Sequence, residues 1–187
     1  MIRTATINDL EQIYDLLLVI FQDMELPLLK LVPADTLKKM VVEAMHNDDY
    51  RYGKNHALVC ERDGKLAGVA FGYPGEKEPY IDHPLTALYT KFGVQTDMPL
   101  FVDSETFAGE WYLDSIVTHP DFRRQGVAKE LIDALPEKAN ADGEHIIGLN
   151  CEVINHKAYQ LYEAIGFRKH SNRVLSGHDY IHMQWIL

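Results

Sequence analysis

Arg123-Arg124-Gln125-Gly126-Val127-Ala128 has the clearest chemistry in the chain, because its residue types and its place between a strand and a helix suit a phosphate anion. Upstream, Trp111-Tyr112-Leu113 and Ile116-Val117 have the aromatic and β-branched character of a strand. Downstream, Val127, Leu131, Ile132 and Leu135 recur at helical spacing. A helix that opens there turns its first backbone N–H groups outward without intrahelical partners, and its dipole adds partial positive charge. Gly126 and Ala128 let phosphate oxygens approach the main chain, while the two arginines offer charge-assisted hydrogen bonds.

A second block runs from Asn150 to Phe167. Asn155 suits a helix N-cap, Ala158, Leu161 and Ile165 form an apolar stripe, and Gly166 is placed to end the helix. The two blocks, in this order and separated by one helix and one strand, resemble the GNAT superfamily of acyl-CoA-dependent N-acetyltransferases. The resemblance implies an α/β fold of the α+β type. Its sheet would be mixed, mostly antiparallel and twisted, with splayed parallel fourth and fifth strands and flanking helices. It also implies acetyl-CoA as co-substrate, the pyrophosphate resting on Arg123, Arg124, Gln125, Gly126, Val127, Ala128 and Lys129. Backbone groups of Ile116 and Val117 would hold the pantetheine arm, and Asn155 would hold that arm, cap its helix, or do both.

The activity so implied is transfer of an acetyl group to a primary amine of a small molecule or peptide, by direct attack in a ternary complex. Such transfer needs a neutral amine, stabilisation of charge on the thioester oxygen, and a proton for the departing thiolate. By resemblance Tyr162 is the general acid; read as an ordinary helix aromatic, it covers the core. For the base, Glu152 and Asp114 rank together, with Glu110 a rival, although Glu152 stands closer to Asn155 than the matching residue does in relatives. His119, beside the turn-forming Pro120, reads as structural. Cys151 has no identifiable His partner, so it reads as a buried thiol and an acyl-cysteine route is discounted. Two other functions fit the same motifs: a non-catalytic acyl-CoA-binding regulatory protein, and a transferase for a longer acyl group.

The rest of the chain supplies the frame. A strand is expected over Met1 to Thr6, followed by a helix capped by Thr6 or Asn8, with Leu10, Ile13, Leu17, Ile20 and Phe21 on one face. Pro27 and Pro33 break the chain before a second helical pattern from Asp35 to His46. In the resembling family, helices here shape one wall of the acceptor site, which places Asp23, Met24, Glu25 and Leu26 at that junction. Asp63-Gly64 is a hairpin signal between strands His56–Glu61 and Lys65–Tyr73. Residues 74–109 read as an insertion into a single domain of 1–187, with a helix over Pro84–Phe92 and an acidic, aromatic composition suited to drawing in an amine.

Hydrophobic residues at 47% and charged ones at 25% exclude a disordered chain. A formal net charge of -10 argues against a nucleic-acid partner, which needs clustered Lys and Arg. No apolar run is long enough for a membrane span and no signal peptide is evident, so a cytoplasmic location without a membrane role is expected. Cys60 and Cys151 read as buried thiols, and no metal-ligand spacing appears. A homodimer through C-terminal edge strands and a monomer core explain Tyr180, Ile181, Met183 and Trp185 equally well.

Overall fold

The computed structural model describes residues 1–24, 26, 28–96, 99 and 101–187. Its strands are β1 (Ile2–Thr4), β2 (Ala57–Arg62), β3 (Lys65–Pro74), β4 (Trp111–Thr118), β5 (Ile146–Glu152), β6 (Arg168–Leu175) and β7 (His178–Ile186). Its helices are α1 (Leu10–Asp23), α2 (Leu28–Leu31), α3 (Ala34–Ala44), α4 (His83–Thr86), α5 (Val127–Ala141) and α6 (His156–Ile165). The strands join in one seven-stranded sheet of order β1-β2-β3-β4-β5-β7-β6. β4 and β5 are parallel, with Trp111 opposite Ile147 and Tyr112 opposite Gly148. Among the described residues their pairing ends there although both strands continue, which is the splayed pair expected; the β1/β2, β2/β3, β5/β7 and β6/β7 pairs are antiparallel.

The chain divides into two compact units. The first comprises Met1–Phe71, Tyr80–Phe101 and Ser115–Ala134. Its core takes Leu10, Ile13, Leu17 and Phe21 from α1 and Leu37, Met40, Val41 and Ala44 from α3, as the helical spacing predicts. Phe21, Tyr52 and Phe71 meet ring to ring, with Tyr52 5.6 Å from Phe21 and 5.0 Å from Phe71. Asp63 (φ 51°) and Gly64 (φ 73°) both take left-handed conformations, as a two-residue hairpin turn requires. β1 stops at Thr4, earlier than expected, because Thr6 is engaged locally. Its backbone N–H and hydroxyl both donate to Asp9 Oδ2, closing a 3₁₀ turn over Ile7–Asp9 before α1. Asp9 also receives the Arg3 guanidinium, so Thr6 and not Asn8 is the residue tied into the helix start.

The helix expected over Pro84–Phe92 is shorter: α4 is one turn, followed by turns that end at Gly93 (φ 69°). Thr86 donates its hydroxyl to the His83 carbonyl, the local competition that weakens Ser and Thr in helix interiors. Leu85 and Tyr89 nevertheless anchor the segment by burial. Of the acceptor-wall junction and the first chain break, Glu25 and Pro27 lie outside the described residues.

The second unit comprises Gly72–Pro79, Val102–Asp114 and Leu135–Leu187. The stretch 74–109 is therefore shared: 80–101 belongs to the first unit and the remainder to the second. β7 is an interior strand between β5 and β6, not an edge. The edge is β6, where Arg168, Lys169, His170, Asn172 and Val174 are exposed. Ladder parity also separates Tyr180 from Ile181, Met183 and Trp185, because successive strand residues face opposite sides. No helix of the described residues is long and apolar enough to cross a membrane.

Candidate active site

In the first unit the end of β4 leads into the phosphate-binding candidate. His119 caps a 3₁₀ turn over Pro120–Phe122, its ring nitrogen accepting from the Asp121 N–H at 3.2 Å, which gives it the structural role expected. Arg124 (φ 59°) and Gly126 (φ 83°) then take left-handed conformations, and α5 begins at Val127. Alternation of this kind turns successive N–H groups to one side as an anion-binding concavity. Among the described residues, the backbone N–H groups from Arg124 to Lys129 have no hydrogen-bond acceptor; the Glu130 N–H is the first to bond back, to the Gly126 carbonyl at 2.9 Å. A Cβ on Gly126 would meet nothing nearer than Glu130 Oε1 at 3.9 Å, so the space before the helix is open.

Arg123 and Arg124 are exposed and have no acidic partner among the described residues, leaving both guanidinium groups available. The remaining loop side chains are committed elsewhere. Val127 is buried and offers only its N–H, Gln125 donates its amide to the Asp121 carbonyl, and Lys129 pairs with Asp133. Arg62 pairs with Glu130 and donates to the Gln125 carbonyl, bracing the loop from β2. Val117 packs on the core of this unit, and its carbonyl lies where a Cβ on Gly68 would come within 2.8 Å. Ile116 is half-buried beside it. The bare cradle and free cations fit a pyrophosphate.

In the second unit Asn155 caps α6, its Oδ1 accepting from the Ala158 N–H at 3.2 Å. The expected stripe is displaced. Leu161 is exposed, and the half-buried face is Ala158, Tyr159, Tyr162 and Ile165. The Tyr162 ring lies 5.7 Å from Phe167, which in turn lies 5.5 Å from Trp185. Its hydroxyl has no hydrogen-bond partner among the described residues. Burial, with a smaller contribution from Cys151, pushes the phenol up to about 12. Cys151 is itself buried, and burial followed by the Glu152 charge raises its thiol above the usual value. It is a poor nucleophile at neutral pH.

The candidate bases differ sharply in surroundings. Glu152 faces His178 at 3.3 Å on a partly exposed surface. Asp114 accepts the Tyr73 hydroxyl at 3.0 Å. Glu110 is fully buried and already serves as an acceptor three times: from the Phe107 N–H at 2.9 Å, from Gln184 Nε2 at 2.8 Å, and opposite His182 Nε2 at 2.9 Å. Both oxygens of this fully buried carboxylate are thus engaged within the protein, unlike those of the more exposed Glu152.

Register explains why these groups collect. Tyr112 stands opposite Gly148, Asn150 opposite His182 and Glu152 opposite Tyr180, so one face of β4, β5 and β7 is polar. The other face carries Leu149, Cys151, Ile181 and Met183. On the polar face His182 Nδ1 lies 2.8 Å from Asn150 Oδ1, and Asn150 Nδ2 donates to the Tyr112 hydroxyl at 3.0 Å and to the Glu105 carbonyl at 2.9 Å. The Tyr112 hydroxyl donates to Glu105 Oε2 at 2.8 Å. Sequence reasoning missed Glu105, Tyr112, Asn150 and His182 as a group. The one available signal was the placement of Asn150 and Glu152 two apart in an otherwise apolar strand, which marks a polar face but names no partner.

The chain belongs to the Acetyltransferase (GNAT) family, whose profile matches residues 10–167. Acetyl-CoA is the co-substrate of that family. The crystal structure of an acetyltransferase superposes with a TM-score of 0.93 at 43% identity, covering 100% of this chain and 98% of that one. An N-acetyltransferase from Staphylococcus aureus Mu50 superposes with a TM-score of 0.82 at 28% identity, covering 98% and 99%. A curated relative, the ribosomal protein bS18-alanine N-acetyltransferase of Salmonella typhimurium, is 29% identical over 99 residues. That match spans 53% of this chain and 61% of the relative, less than two thirds of its length. Among the described residues no group of three or more His, Cys, Asp or Glu is placed to hold a metal.

Proposed function

We propose that this chain is an N-acetyltransferase that moves the acetyl group of acetyl-CoA onto a primary amine of a small molecule or peptide, by direct attack within a ternary complex. The observation that carries this reading is the Tyr162 hydroxyl, unpartnered and held protonated at neutral pH. Arg123, Arg124 and the N–H groups from Arg124 to Lys129 bind the pyrophosphate, backbone groups of Ile116 and Val117 hold the pantetheine arm, and Asn155 caps α6. The bound thioester supplies an activated acetyl carbon.

A carboxylate on the polar face, Asp114 and Glu152 being the candidates named above, takes one proton from the acceptor's ammonium. The freed amine forms the new C–N bond as the C–S bond breaks, and Tyr162 donates its proton to the departing sulfur. The nitrogen's second proton, released as the amide forms, restores the phenol through solvent. At about 12 the phenol lies above an ordinary thiol near 8.5, so donation to sulfur is uphill by itself and is completed by the strongly acidic proton that the nitrogen releases as the amide forms. The raised Cys151 thiol supports direct attack over an acyl-enzyme.

The test is release of free thiol from acetyl-CoA against polyamines, amino acids, aminoglycosides and a peptide with a free N-terminal alanine, alongside calorimetric binding of acetyl-CoA. The alanine peptide is included because of the activity named for the Salmonella relative. Turnover with one amine class, slowed about 100-fold in Tyr162→Phe with acetyl-CoA affinity retained, is the expected result. Binding without turnover across the panel makes the chain a non-catalytic acyl-CoA-binding protein, and faster turnover of propionyl-CoA makes it a transferase for longer acyl groups.

A further inference from the structure

An extra residue in β6 turns one arginine onto the polar face of the second unit. The ladder between β6 and β7 pairs Arg168 with Gln184 and Lys169 with Met183, skips His170, and resumes with Ser171 opposite His182 and Arg173 opposite Tyr180. Such a bulge reverses the alternation of the side chains that follow it, so Ser171 and Arg173 take the polar side in place of Asn172 and Val174. Bulges recur beside active sites, where they re-aim a side chain. The register continues into β5, where Glu152 stands opposite Tyr180, so Glu152, Tyr180 and Arg173 form one line across three strands. Asp114 has the parity of Tyr112, which pairs with Gly148, and lies on this same face just past the point where β4 and β5 part. Both candidate bases therefore share a face with Arg173.

Arg173 is held in place without being neutralised. Its guanidinium lies over the Phe107 ring, 4.8 Å from the centroid, and one N–H donates to the Ser104 carbonyl. Phe107 is fixed in turn, its N–H donating to Glu110 Oε1 at 2.9 Å and its ring set 4.7 Å from that of His182. The buried Glu110 and His182 thus build the platform under the arginine. Acidic side chains of the surrounding segments are engaged elsewhere. Asp103 accepts from the Ser176 N–H at 2.6 Å and from its hydroxyl at 3.2 Å, Glu152 faces His178 at 3.3 Å, and Asp179, opposite Val174, belongs to the other face. Among the described residues no carboxylate pairs with Arg173, although the chain has 28 acidic residues to 18 basic ones, and its remaining N–H donors have no acceptor. A stacked, half-buried guanidinium with unused donors is suited to take a carboxylate in two parallel hydrogen bonds. The half-buried Tyr180 beside it in the ladder also has a hydroxyl without a hydrogen-bond partner among the described residues.

We propose that Arg173 binds a carboxylate of the acceptor, with the Tyr180 hydroxyl as a second donor, so that the amine acetylated is one that carries a carboxylate. The proposal rests on the N-acetyltransferase reading. Neighbouring strands lie about 4.8 Å apart, which sets the backbones of Glu152 and Arg173 about 10 Å apart. An acceptor of amino-acid size spans the gap between two such side chains, its ammonium toward the acidic groups and its carboxylate toward Arg173. The carboxylate comes either from a free α-amino acid or from an acidic residue next to the amino terminus of a peptide; a polyamine has none.

The experiment measures kcat and KM for wild type, Arg173→Met and Arg173→Lys with two matched pairs of acceptors. One pair is alanine and alaninamide, the other the C-terminally amidated dipeptides Ala-Glu and Ala-Gln, and spermidine serves as an acceptor without a carboxylate. Methionine keeps an unbranched stem over Phe107 and removes the charge. Wild type should prefer the acid member of one pair, and Arg173→Met should raise KM for that acceptor about 10- to 100-fold with a smaller change in kcat. The loss should be smaller by about tenfold or more for the amide member. Arg173→Lys, which keeps the charge without the planar fork, should fall between the two. Comparing each variant with wild type on the same acceptor cancels differences in amine basicity, and the pair that responds names the source of the carboxylate. Circular dichroism and calorimetric acetyl-CoA binding should match wild type in both variants. Equal losses on acid and amide, no loss on either, or a wild type that prefers spermidine or the amides overturns the assignment while leaving the acetyltransferase reading standing. Wild-type protein that binds acetyl-CoA but acetylates none of these amines nor any other in the panel overturns both.

Discussion

A Cβ at position 148 would stand 2.2 Å from Oε2 of Glu110, so the glycine of β5 is what makes room for the buried carboxylate. The two residues are 38 apart in sequence and meet because Tyr112, two beyond Glu110, pairs with Gly148 across β4 and β5. Gly148→Ala therefore displaces Glu110 and with it the groups that Glu110 holds, His182 and Gln184. Overpacking of this kind costs about 1–3 kcal/mol. Urea denaturation at neutral pH should show that loss, and an unchanged midpoint would mean that the carboxylate relocates freely.

The phosphate loop makes a separate prediction. Gly126 holds φ at 83°, a conformation that costs an L-residue about 1–2 kcal/mol. Gly126→Ala should therefore tilt the first turn of α5 away from its anion-binding form. Arg124→Ala removes a cation that has no acidic partner among the described residues, so its effect should fall on acetyl-CoA affinity and leave folding stability alone. Calorimetry should record about tenfold weaker binding or more for each variant, in line with about 1.5–3 kcal/mol for a hydrogen bond to a charged group. Wild-type affinity in Arg124→Ala would place the pyrophosphate elsewhere.

Cys151 offers a test of the chemical route. Its thiol is buried and raised by burial and by Glu152, so it is protonated at neutral pH. Cys151→Ala should retain transfer, and intact wild-type protein should react slowly with iodoacetamide at that position. Loss of turnover in Cys151→Ala, together with a mass increase of one acetyl group on the wild-type chain, would instead establish an acyl-enzyme.

Acid sensitivity should appear at Asp9. The Arg3 hydrogen bonds hold its carboxyl at about 2, opposed in part by burial and reinforced by the Thr6 donors. A carboxyl depressed in the folded state stabilises above its unfolded value near 3.8, and that contribution is lost as pH falls through about 2. The difference corresponds to about 2 kcal/mol at pH 7, falling to about half by pH 3. Asp9→Asn should accordingly be less stable than wild type at pH 7 by about that amount, with the gap closing on acidification in urea melts. A gap that stays constant with pH would assign the effect to packing instead.

What the sequence determined by itself was local. Gly126 followed by Val127, Leu131 and Ile132 announced a loop and helix because a left-handed residue and a 3.6-residue period are written within a few positions of each other. Asn155 as the cap of α6 and Asp63-Gly64 as a hairpin turn were readable for the same reason. The tertiary structure alone decided which polar residues meet. Alternation along β5 tells which side Asn150 takes but not that His182 will stand opposite it, since that depends on the final strand inserting between β5 and β6. Glu110 and His182, 72 residues apart, meet only once that strand is in place. Side-chain period is a property of one strand, whereas a strand's neighbour is chosen by long-range packing, and the polar row that ends at Glu105 is made of such neighbours.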